Sequence, residues 1–193
     1  MSVLQEEESF NDQQFTDISE QDENLYDKYF YNCKFINCNF SSNVFYNCEF
    51  ENCLFENCDL SLIKLYNSSF YDIEFNESKL IGINWTEAST PINVNFLACN
   101  ISHSIFVNLD LSNIQIKNCT SENADYTEAN LSKGIFSGTN FLNSRFLNSN
   151  LKYANFSNAI NYAIDLNYNK VQKTKFSLPE ALSLLRIFDI VIE

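Results

Sequence analysis

An all-β solenoid is the fold that this sequence predicts, and three periodic features predict it. A large apolar residue recurs every fifth position from Phe30 to Trp85, twelve times out of twelve. A second run on the same spacing goes from Phe96 to Phe176 and keeps fifteen of its seventeen positions, Ser121 and Asn161 being the exceptions. Fifteen of the eighteen phenylalanines lie at these centres. Two residues before each centre the chain is small or aliphatic (Cys33, Cys38, Cys48, Ile63, Ser68, then Cys99, Ala124, Ala154), and two residues after it asparagine recurs, as at Asn32, Asn37, Asn47, Asn108 and Asn158. A period of five suits neither a helix nor a flat strand, so the chain must turn once per repeat to keep one position inward. Each unit reads as small inward, outward, large inward, outward, corner. Residues two apart share a side of an extended segment, and asparagine tolerates the left-handed backbone that a corner requires.

All seven cysteines occupy the small inward slot. A metal site needs ligands converging on one point, with close cysteine pairs or added histidines. Here the thiols run along a ladder, and the single histidine, His103, falls at a corner expected to be exposed. An odd number of cysteines beside an acidic start, MSVLQEEESF, without a basic and apolar leader favours free thiols in a reducing cytoplasm. The cysteines are therefore expected to pack a core, with no metal and no cofactor. There is no apolar run long enough to span a membrane as a helix.

The net charge of −13 argues against direct binding to nucleic acid. Residues 1–27 hold nine acidic residues and no base, residues 28–87 hold eight acids and four lysines, and residues 88–193 hold eight of each sign. On this count most of the acidity is expected in an N-terminal tail, solvated and removable: trimming residues 1–20 should leave the rod folded. An enzyme is not expected. One exposed histidine cannot complete a nucleophile–base–acid set, and neither a glycine-rich phosphate loop nor a basic stripe is present.

Three segments follow. Residues 1–27 form an acidic N-terminal segment, partly irregular, with Phe10 and Phe15 hinting at a first coil. Residues 28–176 form the solenoid, with a one-residue register shift near 86–95, because Trp85 and Phe96 are eleven apart. Residues 177–193 form a C-terminal helix and strand. Ser177 and Glu180 have capping-box spacing and Pro179 suits a first turn. Leu178, Leu182 and Leu185 fall on one helical face, while Phe188, Ile190 and Ile192 alternate as in a strand. An open solenoid end needs covering. This segment has more apolar surface than one end covers, so Leu182, Leu185, Phe188, Ile190 and Ile192 are expected to form a homodimer contact.

The stretches ADYTEANLSKG (124–134) and SNLKYANFSNA (149–159) match the motif A-(D/N)-L-x-x, and on them the chain resembles the pentapeptide repeat family. The resemblance implies a right-handed quadrilateral β-helix with four repeats per coil, about seven coils over 28–176. Within the family, the overall length, CDLSLIKLYNSSF (58–70) and the ending KFSLPEALSLLRIFDIVIE resemble the subset that includes the quinolone-resistance (Qnr-type) proteins and the microcin B17 immunity protein. This implies a non-enzymatic cytoplasmic homodimer that binds DNA gyrase or topoisomerase IV as a DNA mimic and protects it from a toxin or quinolone. On the four-sided model Glu49, Glu51, Asp72 and Asp110 share one outer face and would stand in for phosphates. The alternative reading is a rigid scaffold for another protein partner, with Ile105, Val107 and Leu147 as an apolar patch on one side.

Overall fold

The computed structural model describes residues 3–188 and 190, and its chain winds into a solenoid of about eight coils, each with four faces. Every pairing is parallel, and residues twenty apart stack directly, as Phe10↔Phe30, Phe15↔Phe35 and Leu25↔Phe45 do. The first face carries a four-stranded sheet (Ser9–Asn11, Tyr29–Tyr31, Glu49–Glu51, Ser69–Tyr71) and the second a six-stranded sheet running from Gln14–Thr16 to Ile116–Lys117. Isolated bridges such as Asn39↔Asp59 carry the third face, and the fourth begins with the strand pair Asn24–Tyr26 and Val44–Tyr46 and continues in bridges such as Asp125↔Arg145.

The predicted ladders are the core. On the first face Phe10, Phe30, Phe50 and Phe70 stack with ring centroids 5.0, 4.8 and 5.1 Å apart. On the second, Phe15, Phe35, Phe55, Phe75 and Phe96 follow at 5.1, 4.5, 5.1 and 5.4 Å. These spacings match the separation of paired strands, about 4.8 Å, so each ring rests on its counterpart one coil away. Each buried phenylalanine replaced by alanine removes about 3–5 kcal/mol.

The corners are as distinctive as the core. The asparagines two residues after a centre, from Asn32 to Asn158, have φ between 52° and 69°. Their side chains form ladders along the rod: Asn52 Nδ2 donates to Asn32 Oδ1 at 3.1 Å, and Asn57 to Asn37 at 2.8 Å. Each rung donates to the coil before it, so the N-terminal rung need only accept. Aspartate meets that requirement. Asp12, Asp17 and Asp27 accept from Asn32, Asn37 and Asn47. With Asp22 they place four left-handed aspartates at the corners of the first coil.

This revises the N-terminal boundary. Residues 9–11, 14–16 and 24–26 are paired strands, so the solenoid begins at Ser9, not at residue 28. The first coil escapes the period-five reading because its third centre is Glu20, half-buried where a fully enclosed coil would carry an apolar residue. Burial, then Glu23, pushes its carboxyl above the ordinary carboxylate range. Leu4, fully buried, covers the end of the core from the short helix Val3–Glu6. Lys28, in an inward slot, donates its ammonium to the Glu7 carbonyl and ties this cap down. Removing residues 1–20 would strip the stacking partners from Phe30 and Phe35.

All seven cysteines are free and buried, but their slot does more than pack. Cys33 Sγ donates to the Phe10 carbonyl and Cys53 Sγ to the Phe30 carbonyl, each at 3.4 Å. A slot side chain also accepts the slot N–H one coil earlier: Cys58 Sγ takes Cys38 N at 3.4 Å, and Ser68 Oγ takes Cys48 N at 3.0 Å. Where the slot lacks such an atom, the N–H can turn back on its own corner, as Asn43 N does to Phe40 O, below Ile63. Among the described residues no group of His, Cys, Asp or Glu could hold a metal ion.

The two exceptions to the ladder have separate causes. The Ser121 hydroxyl lies 2.8 Å from that of Tyr126, the next centre and fully buried, so a small residue makes room for the phenol. Asn161 is a left-handed corner, and Tyr162 and Ile164 fill the core in its place.

The extra residue after Trp85 appears as pairing twenty-one apart, as in Ile73↔Val94, Lys79↔Asn100 and Asn84↔Ile105. A 3-10 turn, Trp85–Glu87, opens the stretch, with Asn84 Oδ1 accepting Thr86 N. Ser89 N bonds Ser68 O and Asn93 N bonds Phe70 O, so Thr90, Pro91 and Ile92 leave the first-face sheet between them.

At the C-terminus a 3-10 helix runs Glu180–Phe188. The expected capping box is not formed. Ser177 Oγ instead accepts Asn158 N at 2.7 Å, and Glu180 Oε1 accepts Asn161 N at 2.9 Å. Both side chains serve backbone donors at the edge of the last full coil, which no further coil pairs. Leu184 is buried, in place of the predicted Leu182 and Leu185 stripe.

Candidate protein-binding faces

Four outward faces and the two ends are the surfaces available for recognition. Glu49 and Glu51 flank Phe50 on the first face, and Glu51 accepts a bond from the Tyr29 hydroxyl at 3.2 Å. Asp72 is not on the flat of that face. It is the left-handed corner after Tyr71, where it accepts from Asn93 Nδ2 and lines a groove of about 410 Å³ with Glu74, Asn52 and Lys34. Asp110 returns to the first face beyond the bulge, three coils after Glu49 and in the same column, about 14 Å along the axis. Its Oδ1 accepts Ser112 N at 3.0 Å and Asn130 Nδ2 at 2.9 Å. The fold thus brings Glu49 and Glu51 together and sets Asp72 and Asp110 in separate depressions, both of which reach Asn95.

Because the first coil belongs to the rod, the acidity is part of the solenoid itself. Residues 9–87 carry fourteen acidic residues against four lysines, leaving −10 on four coils. Four coils span about 19 Å, or one net charge per roughly 1.9 Å, close to the one per about 1.7 Å of duplex DNA. The remaining coils, residues 88–176, carry five acids and seven bases, a net of +2, so the rod is electrostatically polar along its axis.

Outward tyrosines, which the period-five core pattern does not single out, add a second kind of surface. Tyr26, Tyr46 and Tyr66 form an exposed ladder on the fourth face, and Tyr31 and Tyr71 are exposed on the first. Spacings of twenty and forty would have revealed both sets. The patch of Ile105, Val107 and Leu147 lies further along the fourth face, where Ile105 is exposed and the other two are half-buried, with Asp125 and Thr127 between them.

At the C-terminal end Leu182, Phe188 and Ile190 are exposed and Leu185 is half-buried. Ile192 lies outside the described residues, and the proposed strand falls largely there.

Comparison with known families bears on the repeats directly. A profile described as a pentapeptide repeat region matches residues 28–91, and one described as pentapeptide repeats (8 copies) matches residues 123–160; together they take in more than half of the chain. The chain belongs to the pentapeptide repeat family. No curated protein sequence matches it significantly. Among solved structures it is similar to two trypsin-treated forms of QnrB1, each described as a plasmid-mediated fluoroquinolone resistance protein. One aligns at 20% identity with TM-score 0.74, covering 96% of this chain and 97% of the other. The second aligns at 20% identity with TM-score 0.68, covering 93% and 100%. At that identity the likeness is one of fold.

Proposed function

We propose that this pentapeptide repeat protein is a non-enzymatic, cytoplasmic partner of a type II topoisomerase, DNA gyrase or topoisomerase IV, which it engages in place of duplex DNA and so protects from a toxin or quinolone. The observation that carries the reading is charge density: coils 1–4 hold about one net negative charge per 1.9 Å on a rigid rod. A surface of that density suits the basic saddle of a DNA-binding enzyme, and its encounter with such a surface is steered electrostatically. Glu49, Glu51, Asp72 and Asp110 are the carboxylates we assign to the contact. The resemblance to the quinolone-resistance subset and the fold shared with QnrB1 support the same reading.

The protein acts as a homodimer through its C-terminal end. Leu182, Phe188 and Ile190 form the core of that contact, because they are exposed beyond the residues that close the solenoid.

Gyrase supercoiling with the purified protein titrated in, alone and with a quinolone, tests the function. Inhibition of supercoiling, or restored supercoiling in the presence of drug, is expected at micromolar protein. Indifference of both gyrase and topoisomerase IV would return the protein to the second reading, a scaffold for another partner, which the exposed tyrosine ladder favours.

A further inference from the structure

Where Thr90, Pro91 and Ile92 leave the sheet, the first face opens into a cleft of about 530 Å³. That is within the usual size of ligand pockets, about 300–1,000 Å³. Its wall has two unused polar groups. Asp110 Oδ1 is occupied by Ser112 N and Asn130 Nδ2, while Oδ2 has no partner among the described residues. The Asp110 backbone N–H is also unpaired among them, because the coil that would have accepted it has bulged away; its counterparts Asn130 and Asn150 donate to Leu109 and Ala129. Ile92 and Leu109 form the apolar part of the wall, and among the described residues no lysine or arginine lines the cleft.

We propose that this cleft receives an arginine side chain from an extended segment of a protein partner, with Asp110 as its counter-charge. A planar guanidinium can donate to the free carboxylate oxygen while its methylene stem lies on Ile92 and Leu109. The unpaired strand N–H specifies the rest of the ligand. A partner backbone in extended conformation supplies a carbonyl to Asp110 N–H, the bond that a neighbouring coil makes elsewhere on this face. A lone anion is excluded by the carboxylate, and a purely apolar ligand would leave Oδ2 and the N–H desolvated without partners, at about 1–3 kcal/mol for each group. The inference holds for any arginine-bearing partner and does not require a topoisomerase.

The test needs no partner. Uniformly 15N-labelled protein is titrated with N-acetyl-arginine methylamide and, separately, with the norleucine analogue, which has an alkyl chain and no charge. The arginine probe is expected to shift the amides of Asp110, Ile92, Asn93 and Gln115 with saturation in the millimolar range, about tenfold more tightly than norleucine. Asp110→Asn keeps Oδ1 for Ser112 and Asn130, so the fold stays, and it should erase the difference between the probes. Ser112→Trp, which fills the mouth, should abolish binding of both. Equal affinity of the two probes, unchanged arginine binding by Asp110→Asn, or shifts as large around Glu49 and Glu51 as around Asp110 would each overturn the proposal.

Discussion

Restoring the repeat pattern at Ser121 should weaken this protein. Every other third-face centre from Phe40 to Phe141 is large and apolar, so Ser121→Leu looks like a repair. In the structure the space is taken by the Tyr126 ring, fully buried, with its hydroxyl 2.8 Å from Ser121 Oγ. A leucine would both overpack the site, at about 1–3 kcal/mol, and strand the phenol, at about 1–3 kcal/mol. The smaller perturbations separate these terms. Ser121→Ala leaves the buried phenol without its partner and should cost about 2 kcal/mol, while Tyr126→Phe leaves a serine hydroxyl and should cost about 1. The double variant removes both groups and should cost about 1 kcal/mol, not the additive 3, giving a coupling of about 2 kcal/mol. Guanidinium unfolding followed by Trp85 fluorescence reads this directly. Trp85 is the sole tryptophan, is fully buried, and stacks on Phe106, which stacks on Tyr126. Additive losses, or a Ser121→Leu variant as stable as the parent, would refute the account of this coil.

Other perturbations test the remaining parts of the structure. Ellman's reagent should find almost no thiol in the native state and seven after unfolding; rapid native reaction would contradict the inward slots. Burial pushes Cys53 up to about 12 from an ordinary 9.0, so its contribution is complete below pH 9. It falls by about 1.4 kcal/mol per pH unit towards pH 12, as the unfolded chain ionises first. Thermal or denaturant unfolding between pH 8 and 11 should show that decline, and flat stability would argue against it. Deleting residues 1–20 should lower the unfolding midpoint markedly, because it removes Phe10 and Phe15 from the stack; an unchanged midpoint would restore the reading of these residues as a tail. Leu182→Glu with Phe188→Glu should halve the mass seen by light scattering, and an unchanged mass would rule out the C-terminal dimer.

The period of five made the core legible because every interior coil solves the same packing problem, and a residue that faces inward once must do so every fifth position. The asparagine corners were legible for the same reason. What escaped were places where repetition stops. Glu20 is tolerated at a centre because the first coil has no coil before it, and this hid three paired strands. Asp12, Asp17 and Asp27 read as tail acidity, although they are the accepting ends of asparagine ladders. Ser177 and Glu180 spell a capping box, yet the unpaired N–H groups of Asn158 and Asn161 claim both side chains. The cleft beside Asp110 was visible only as a one-residue shift, because a sequence shows that a residue is extra but not which pairings it breaks. Of the four proposed carboxylates, Glu49 and Glu51 follow directly from face arithmetic. Asp72 is a corner, and the position of Asp110 depends on how the bulge is absorbed.

The claim that the acidic coils occupy a DNA site is best tested by competition. A fluorescently labelled DNA duplex bound to gyrase is titrated with the parent protein and with a variant carrying Asp→Asn at residues 12, 17, 22 and 27. Asparagine keeps the left-handed corners and the accepting Oδ1 atoms while lowering the charge of coils 1–4 from −10 to −6. The parent should displace the duplex, less effectively as salt rises, and the variant should need roughly tenfold more protein while unfolding at a similar temperature. A duplex that stays bound at saturating protein, or is displaced equally by both, would contradict the account.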